Sequence, residues 1–284
     1  MSVTAASTPA AGWPGRELAT LEQRHGRPLR CRWLGRIAFP DALALQEQVV
    51  REHAAIGDTL LLLEHDPVYT TGRGGRVEHL GVLAAGDGAA YPPLVRIGRG
   101  GDVTYHGPGQ LVGYGLVDLR ARGGDLHRFL RDLEAGVVAT ARALGVAAVR
   151  WPGRTGVWAV DADLAQLAPG ELAGRLDDAH MAAGRVRKIA SIGIGVRRGV
   201  TMHGFALNVA LDLAPFAAIV PCGLAGVRMT SVAAETGRTT PALVEVAALA
   251  SWHVGAALAG DGVRPLPSRA DLPGVAPAAA ETTA

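Results

Sequence analysis

Strand and helix patterns do not alternate along this 284-residue chain, and that excludes much of what it could fold into. Short apolar runs and two-residue alternation predict strands at 29–38, 58–64, 94–98, 102–118, 147–151, 156–160, 186–196 and 201–210. Helical spacing is clearest at 125–144. Leu126, Phe129, Leu130, Leu133, Val137, Ala141 and Leu144 recur there behind Asp125, which is placed to cap the helix. Further helical patterns fall at 41–55, with Asp41 as the expected cap, at 213–219 and at 240–258. A doubly wound parallel sheet needs strict alternation. This irregular order predicts a single α+β domain, with mixed or antiparallel sheets flanked by helices. The domain is expected over 29–262. Residues 1–28 and 263–284, rich in Ala, Pro, Thr and Gly, are expected to be a flexible N-terminal extension and a flexible C-terminal tail.

Composition narrows the class. Hydrophobic residues make up 49% and charged residues 19%, which suits a globular domain. A net charge of +2 gives no electrostatic case for nucleic acid. The strongest apolar run, Leu60–Leu63, is far too short to cross a bilayer. The N-terminus lacks a basic stretch followed by an apolar one, so a cytoplasmic location is expected. Two cysteines, Cys31 and Cys222, fit a reducing setting without a disulfide framework. A local basic cluster of Arg185, Arg187, Lys188, Arg197 and Arg198 reads either as a solvated strand edge or as a docking surface for an acidic partner.

The scarce residues carry the chemistry. Lys188 is the only lysine among 28 Lys and Arg. Arginine replaces a surface lysine well, but it cannot act as a titratable amine. Lys188 is therefore a candidate for chemistry, beside the plainer reading of a leftover surface charge. Cys31 alternates with Leu29 and Trp33 on the inner face of a strand and reads as a core thiol. Cys222 lies in Pro221-Cys222-Gly223, a tight turn that presents its sulfur. The densest motif runs from Arg99 to Gln110. Gly100 and Gly101 allow close backbone approach to a ligand, and Tyr105 and His106 add polar tips. A glycine-rich hairpin is the structural alternative. Its spacing matches neither nucleotide-binding fingerprint. No cluster has metal-ligand spacing, so no metal is expected. His203 lies in a further strand pattern, 201–210, and alone reads as structural.

Together these segments resemble the lipoyl(octanoyl) transferases, relatives of the biotin and lipoate protein ligases. The family's Arg-Gly-Gly-x-x-Thr-Tyr/Phe-His-Gly-Pro-Gly-Gln signature is met by Arg99 to Gln110. Lys-Ile-x-Ser-x-Gly is met by Lys188 to Gly193, and His-Gly-x-Ala-Leu-Asn by His203 to Asn208. Pro-Cys-Gly is met by Pro221 to Gly223, and Glu-His-x-Pro-Val-Tyr/Phe-Thr by Glu64 to Thr70. The segment 161–184 reads as an insertion.

The resemblance implies a ligase-like catalytic domain that uses no cofactor and an acyltransferase activity in the first step of endogenous protein lipoylation. Cys222 would take an octanoyl or lipoyl group from acyl carrier protein as a thioester. It would pass that group to a lysine of the lipoyl domains of 2-oxoacid dehydrogenase complexes or of the glycine cleavage H protein. Lys188 would be its catalytic partner. Substrate contacts are implied for Arg99, Gly100, Gly101, Asp102, Val103, Thr104, Tyr105 and His106. They are implied also for Ser191, Ile192, Gly193, Gly204, Phe205 and Ala206. The residues make chemical sense of this. A free thiol is only about 3% ionised at neutral pH, and each half-reaction moves a proton, which lysine can carry and arginine cannot. Gly100, Gly101, the Pro-Cys-Gly turn and His106 are the candidate oxyanion donors. Two other readings have different needs. An ATP-dependent ligase on this fold would need no cysteine, and a noncatalytic carrier-binding scaffold would need neither Cys222 nor Lys188.

Overall fold

The computed structural model describes residues 14–24, 27–85 and 91–260. The strands are β1 (Arg16–Leu21), β2 (Leu29–Ile37), β3 (Thr59–His65), β4 (Val68–Thr71), β5 (Leu94–Arg96), β6 (Thr104–His106), β7 (Gln110–Leu116), β8 (Ala148–Trp151), β9 (Arg154–Val160), β10 (Val186–Arg197) and β11 (Val200–Asn208). The helices are α1 (Phe39–Arg51), α2 (His53–Ile56), α3 (Leu126–Ala143), α4 (Ala162–Ala165), α5 (Pro169–Arg175), α6 (Asp178–Ala182), α7 (Val232–Thr236) and α8 (Leu243–Ala259). Eight strands form one sheet in the order β1-β2-β3-β7-β11-β10-β9-β8, and β5-β4-β6 form a small second sheet. Only β2–β3 and β4–β5 pair in parallel. The mixed α+β architecture predicted from the irregular element order is the one observed.

α3 and α8 pack against each other and cover one face of the large sheet. Phe129, Leu133 and Val137 of α3 and Val246, Ala250, Val254 and Leu258 of α8 meet Leu60, Leu62, Leu111 and Leu207 there. Asp125 caps α3 as expected, its side chain accepting from the Arg128 N–H. α1 lies on the opposite face, where Ala42 and Val49 pack on Leu61, Leu63, Val112 and Ala206. Asp41 is not its cap, because Pro40 sets the first turn and the helix begins at Phe39.

Two expectations need correction. Residues 16–21 are not part of a flexible extension. They form the edge strand β1, paired antiparallel to β2 with Leu18 buried. Residues 1–13 and 263–284 lie outside the described residues. Residues 68–71, to which the sequence patterns assign no element, form β4, all four residues of which are buried. Segment 161–184 folds into α4, α5 and α6. Leu164, Leu172 and Met181 from it cover a satellite core that contains Trp151 and Trp158. Among the described residues no helix is long and apolar enough to cross a membrane.

Candidate active site

On the α1 side of the large sheet lies a cavity of about 450 Å3. Lys188, Ser191, Ile192 and Gly193 of β10 line it, with Gly204, Phe205 and Ala206 of β11. Arg99, Gly101, Asp102, Thr104 and His106 come from the glycine-rich segment, and Cys222 from its turn. Motifs far apart in sequence thus converge on one space. Three expected residues do not line it. Val103 and Tyr105 alternate with Thr104 and His106 and pack instead with Tyr69 and Phe216. The Gly100 N–H is bound to the Ile194 carbonyl at 2.8 Å.

Cys222 is half-buried and holds φ of 57°, a left-handed conformation uncommon for a residue with a Cβ. Its N–H donates to the Val103 carbonyl at 2.9 Å, and its Sγ lies 3.6 Å from Ser191 Oγ. Lys188 is 3% exposed. A bulge follows it in the pairing of β10 with β9. Its Nζ donates to the Thr155 carbonyl at 2.9 Å and lies 4.8 Å from the centre of the Trp158 ring, its cross-strand neighbour. Gly156 makes room for it, since a Cβ there would fall 3.0 Å from Lys188 Cε. The helices of 161–184 bury Trp158 and so back the lysine from behind. Cys222 and Lys188 line the same cavity, each with another partner, Ser191 Oγ for the thiol and the Thr155 carbonyl for the ammonium.

Arg99 is the second buried cation. Its Nη2 donates to the Thr70 carbonyl at 2.9 Å and to Thr70 Oγ1 at 3.0 Å, and its Nη1 to the Gly100 carbonyl at 3.0 Å. Burial pushes its pKa down, and the charges of Cys222 and then Tyr114 and Asp102 oppose that fall. Thr70 Oγ1 accepts from Arg99 and so donates to His106 Nε2 at 3.1 Å. His106 Nδ1 donates to Gln110 Oε1 at 2.7 Å, while the Gln110 amide nitrogen donates to Asn208 Oδ1. Both nitrogens of His106 are therefore engaged. It is not a free oxyanion donor, and burial lowers its pKa to about 3. Among the other candidates, the Cys222 and Gly223 amides are also bound, to Val103 and Val220. His203 lines the cavity with φ of 62°, and burial and the Arg99 charge lower its pKa to about 4.

Sequence reasoning missed several contributors. His65 donates to the Ile37 carbonyl and accepts from Tyr114 OH at 2.7 Å, and burial lowers its pKa to about 4. Glu64 Oε1 accepts from the Gly109 N–H, which ties the Glu-His motif to the glycine-rich segment. Phe39, Trp158, Thr155 and His79 carried no local signal. Among the described residues no group of His, Cys, Asp and Glu is arranged for a metal.

The comparisons agree with this geometry. A family model described as the lipoyl protein ligase A/B catalytic domain matches residues 39–251. An octanoyltransferase of Geobacter metallireducens is 49% identical over 210 residues, covering 73% of this chain and 84% of that one. An octanoyltransferase of Mycolicibacterium gilvum is 44% identical over 213 residues, covering 75% and 78%. Among solved structures, lipoate-protein ligase A bound with ATP superposes with a TM-score of 0.54 at 18% identity, covering 81% of this chain and 84% of that one. The bi-partite lipoate protein ligase of Thermoplasma acidophilum gives 0.52 at 18% identity, covering 77% and 80%. These last two likenesses are of fold.

Proposed function

From the premise that this chain belongs to the lipoyl protein ligase A/B catalytic-domain family, and with octanoyltransferases such as that of Geobacter metallireducens as its relatives, we propose that it is an acyltransferase that transfers octanoyl groups for protein lipoylation. The donor is octanoyl-acyl carrier protein, and the acceptor is the lysine of a lipoyl domain. The observation that supports this reading best is the convergence of Cys222 and Lys188 on one cavity.

The Cys222 thiolate attacks the donor thioester carbon. The carrier's thiolate leaves and takes a proton, and Cys222 holds the acyl group as a new thioester. The acceptor amine then attacks that carbon, loses a proton, and releases Cys222. Lys188 is the group in the cavity that can give the first proton and take the second. Its anchor on one carbonyl and the Trp158 ring keeps the amine in place without a carboxylate to trap its proton. With the Gly100, Cys222 and Gly223 amides already bound, Gly101 is the backbone donor left for the oxyanion. Phe39, Ile97, Val112 and Phe205 supply apolar wall for the alkyl chain.

Incubation with octanoyl-carrier protein should add one octanoyl mass to the intact protein, removable by hydroxylamine. Cys222→Ser should take up none. Cys31→Ser should behave as wild type, because Cys31 is fully buried in the core. An adduct that persists in Cys222→Ser would overturn the assignment.

A further inference from the structure

The strained turn at Cys222 is held by two segments that are far apart in sequence. The Val220 N–H donates to the His79 carbonyl at 2.8 Å, and the Cys222 N–H donates to the Val103 carbonyl at 2.9 Å. Those two segments are tied to each other by side chains. His79 Nδ1 lies 2.5 Å from Asp102 Oδ2, and Asp102 Oδ1 accepts the Val103 N–H at 2.7 Å. The pair also abuts the turn itself. A Cβ on Gly223 would fall 2.8 Å from Asp102 Oδ2 and 3.0 Å from His79 Cε1. Gly223 has φ of 67°, so Cys222 and Gly223 are two left-handed residues in succession.

We propose that His79 and Asp102 form a clamp that holds Cys222 in its left-handed conformation, which makes His79 a positioning residue for the nucleophile. Left-handed backbone at a residue with a Cβ persists only where its surroundings over-determine it. Here the clamp fixes the residue two before Cys222, the amide of Cys222 and the backbone after it. A carboxylate only accepts, so His79 Nδ1 carries the proton of the tie. His79 does not itself line the cavity and reaches it only through Asp102. The consequence for turnover rests on the octanoyl-transfer reading; the clamp itself does not.

Two amide substitutions separate the hydrogen bond from the imidazole. His79→Asn puts an amide N–H near the position of Nδ1, and His79→Gln puts one near Nε2. Hydrogen exchange at the Cys222 and Gly223 amides should stay within about threefold of wild type in His79→Asn and accelerate about tenfold in His79→Gln, the scale of one lost hydrogen bond. Turnover with octanoyl-carrier protein should follow the same order, falling in kcat with KM unchanged. Exchange that is equal in the two variants, whether unchanged or accelerated, would overturn the clamp. Exchange that follows the clamp while kcat does not would overturn the positioning role. If the wild-type protein takes up no acyl group, the octanoyl reading fails, and the exchange comparison still decides the clamp.

Discussion

Two buried cations face the same cavity and are held in opposite ways. Arg99 is 8% exposed and is fixed through its planar fork to three neutral oxygens on Thr70 and Gly100. Lys188 is 3% exposed and is fixed by one carbonyl and one indole face. Among the described residues neither has a carboxylate partner within ion-pair distance. A guanidinium stays protonated and its fork sets geometry, whereas an ammonium on a flexible stem can exchange a proton. The difference assigns the two charges different work. On the proposed reading, Arg99 organises the glycine-rich wall and supplies a fixed field at Cys222, and Lys188 moves protons. Swapping the two residue types tests that division directly.

Lys188→Arg keeps the charge and loses the exchangeable amine. Turnover should fall about a hundredfold to ten-thousandfold, the usual weight of a general acid or base. Steady-state rates with a thermal-unfolding control would check this. Near wild-type turnover would erase the contrast with Arg99 and leave charge as the only role of Lys188.

The second test concerns the surroundings of Arg99. His106 and His203 share the cavity with it, and His65 packs against His106 and Tyr114. All three are held neutral, with pKa values lowered from 6.5 to about 4, about 3 and about 4 for His65, His106 and His203, by burial first. The unfolded chain binds these protons near pH 6.5 and the folded chain does not. Stability is therefore fully present above that pH and is lost as pH falls towards about 4. Each histidine contributes at most about 2 kcal/mol of loss between about pH 7 and about pH 5. Urea unfolding at the two values would measure it. His203→Asn, which suits a left-handed backbone, should shrink the drop. A drop unchanged by this variant would remove His203 from the acid-sensitive set.

Arg99→Lys should act on stability more than on proton transfer. The fork's hydrogen bonds to Thr70 and Gly100 cannot all be made by one ammonium, and about 2 kcal/mol of stability should be lost. Denaturant midpoints would show it. A variant as stable as wild type, with turnover as poor as Lys188→Arg, would reverse the two roles.

Much of this cavity's lining could be read from sequence because rare residues mark it. Lys188 stood out by its solitude, Cys222 by its Pro and Gly neighbours, and the Arg99–Gln110 segment by its glycines. The misses have physical causes. β1 shows little alternation because this edge strand buries only Leu18 fully, its other residues being exposed or half-buried. Val103 and Tyr105 were assigned to the substrate although the two-residue period of a strand turns them from the wall that holds Thr104 and His106. The oxyanion donors were miscounted because a backbone N–H shows its partner only in the fold. His79 was illegible for the same reason. It sits in a 3-10 segment, Val77–Ala85, and its partners are at 102, 220 and 223.

The smallest expected effect lies outside the cavity, where arginines do have carboxylates. Arg185, Arg187, Arg197 and Arg198 were expected to form a docking surface for an acidic carrier. The fold pairs three of them within the chain instead. Arg185 meets Asp161 at 3.2 Å and Asp163, Arg187 meets Asp161 at 2.9 Å and Glu235 at 2.7 Å, and Arg197 meets Glu47 at 3.1 Å. Arg187 ties β10 to α7, so its charge holds the lysine strand in place rather than facing a partner. A charge already matched by a neighbouring carboxylate projects little field beyond a Debye length of about 8–10 Å. Arg197→Glu, on an exposed pair, should change KM for octanoyl-carrier protein by no more than about twofold. Added salt should then raise KM for the carrier-bound donor no more than for a small octanoyl thioester. A strong salt effect confined to the carrier donor, abolished in Arg197→Glu, would restore this cluster as the docking face. It would also show that the division between paired structural cations and unpaired working ones fails at the surface.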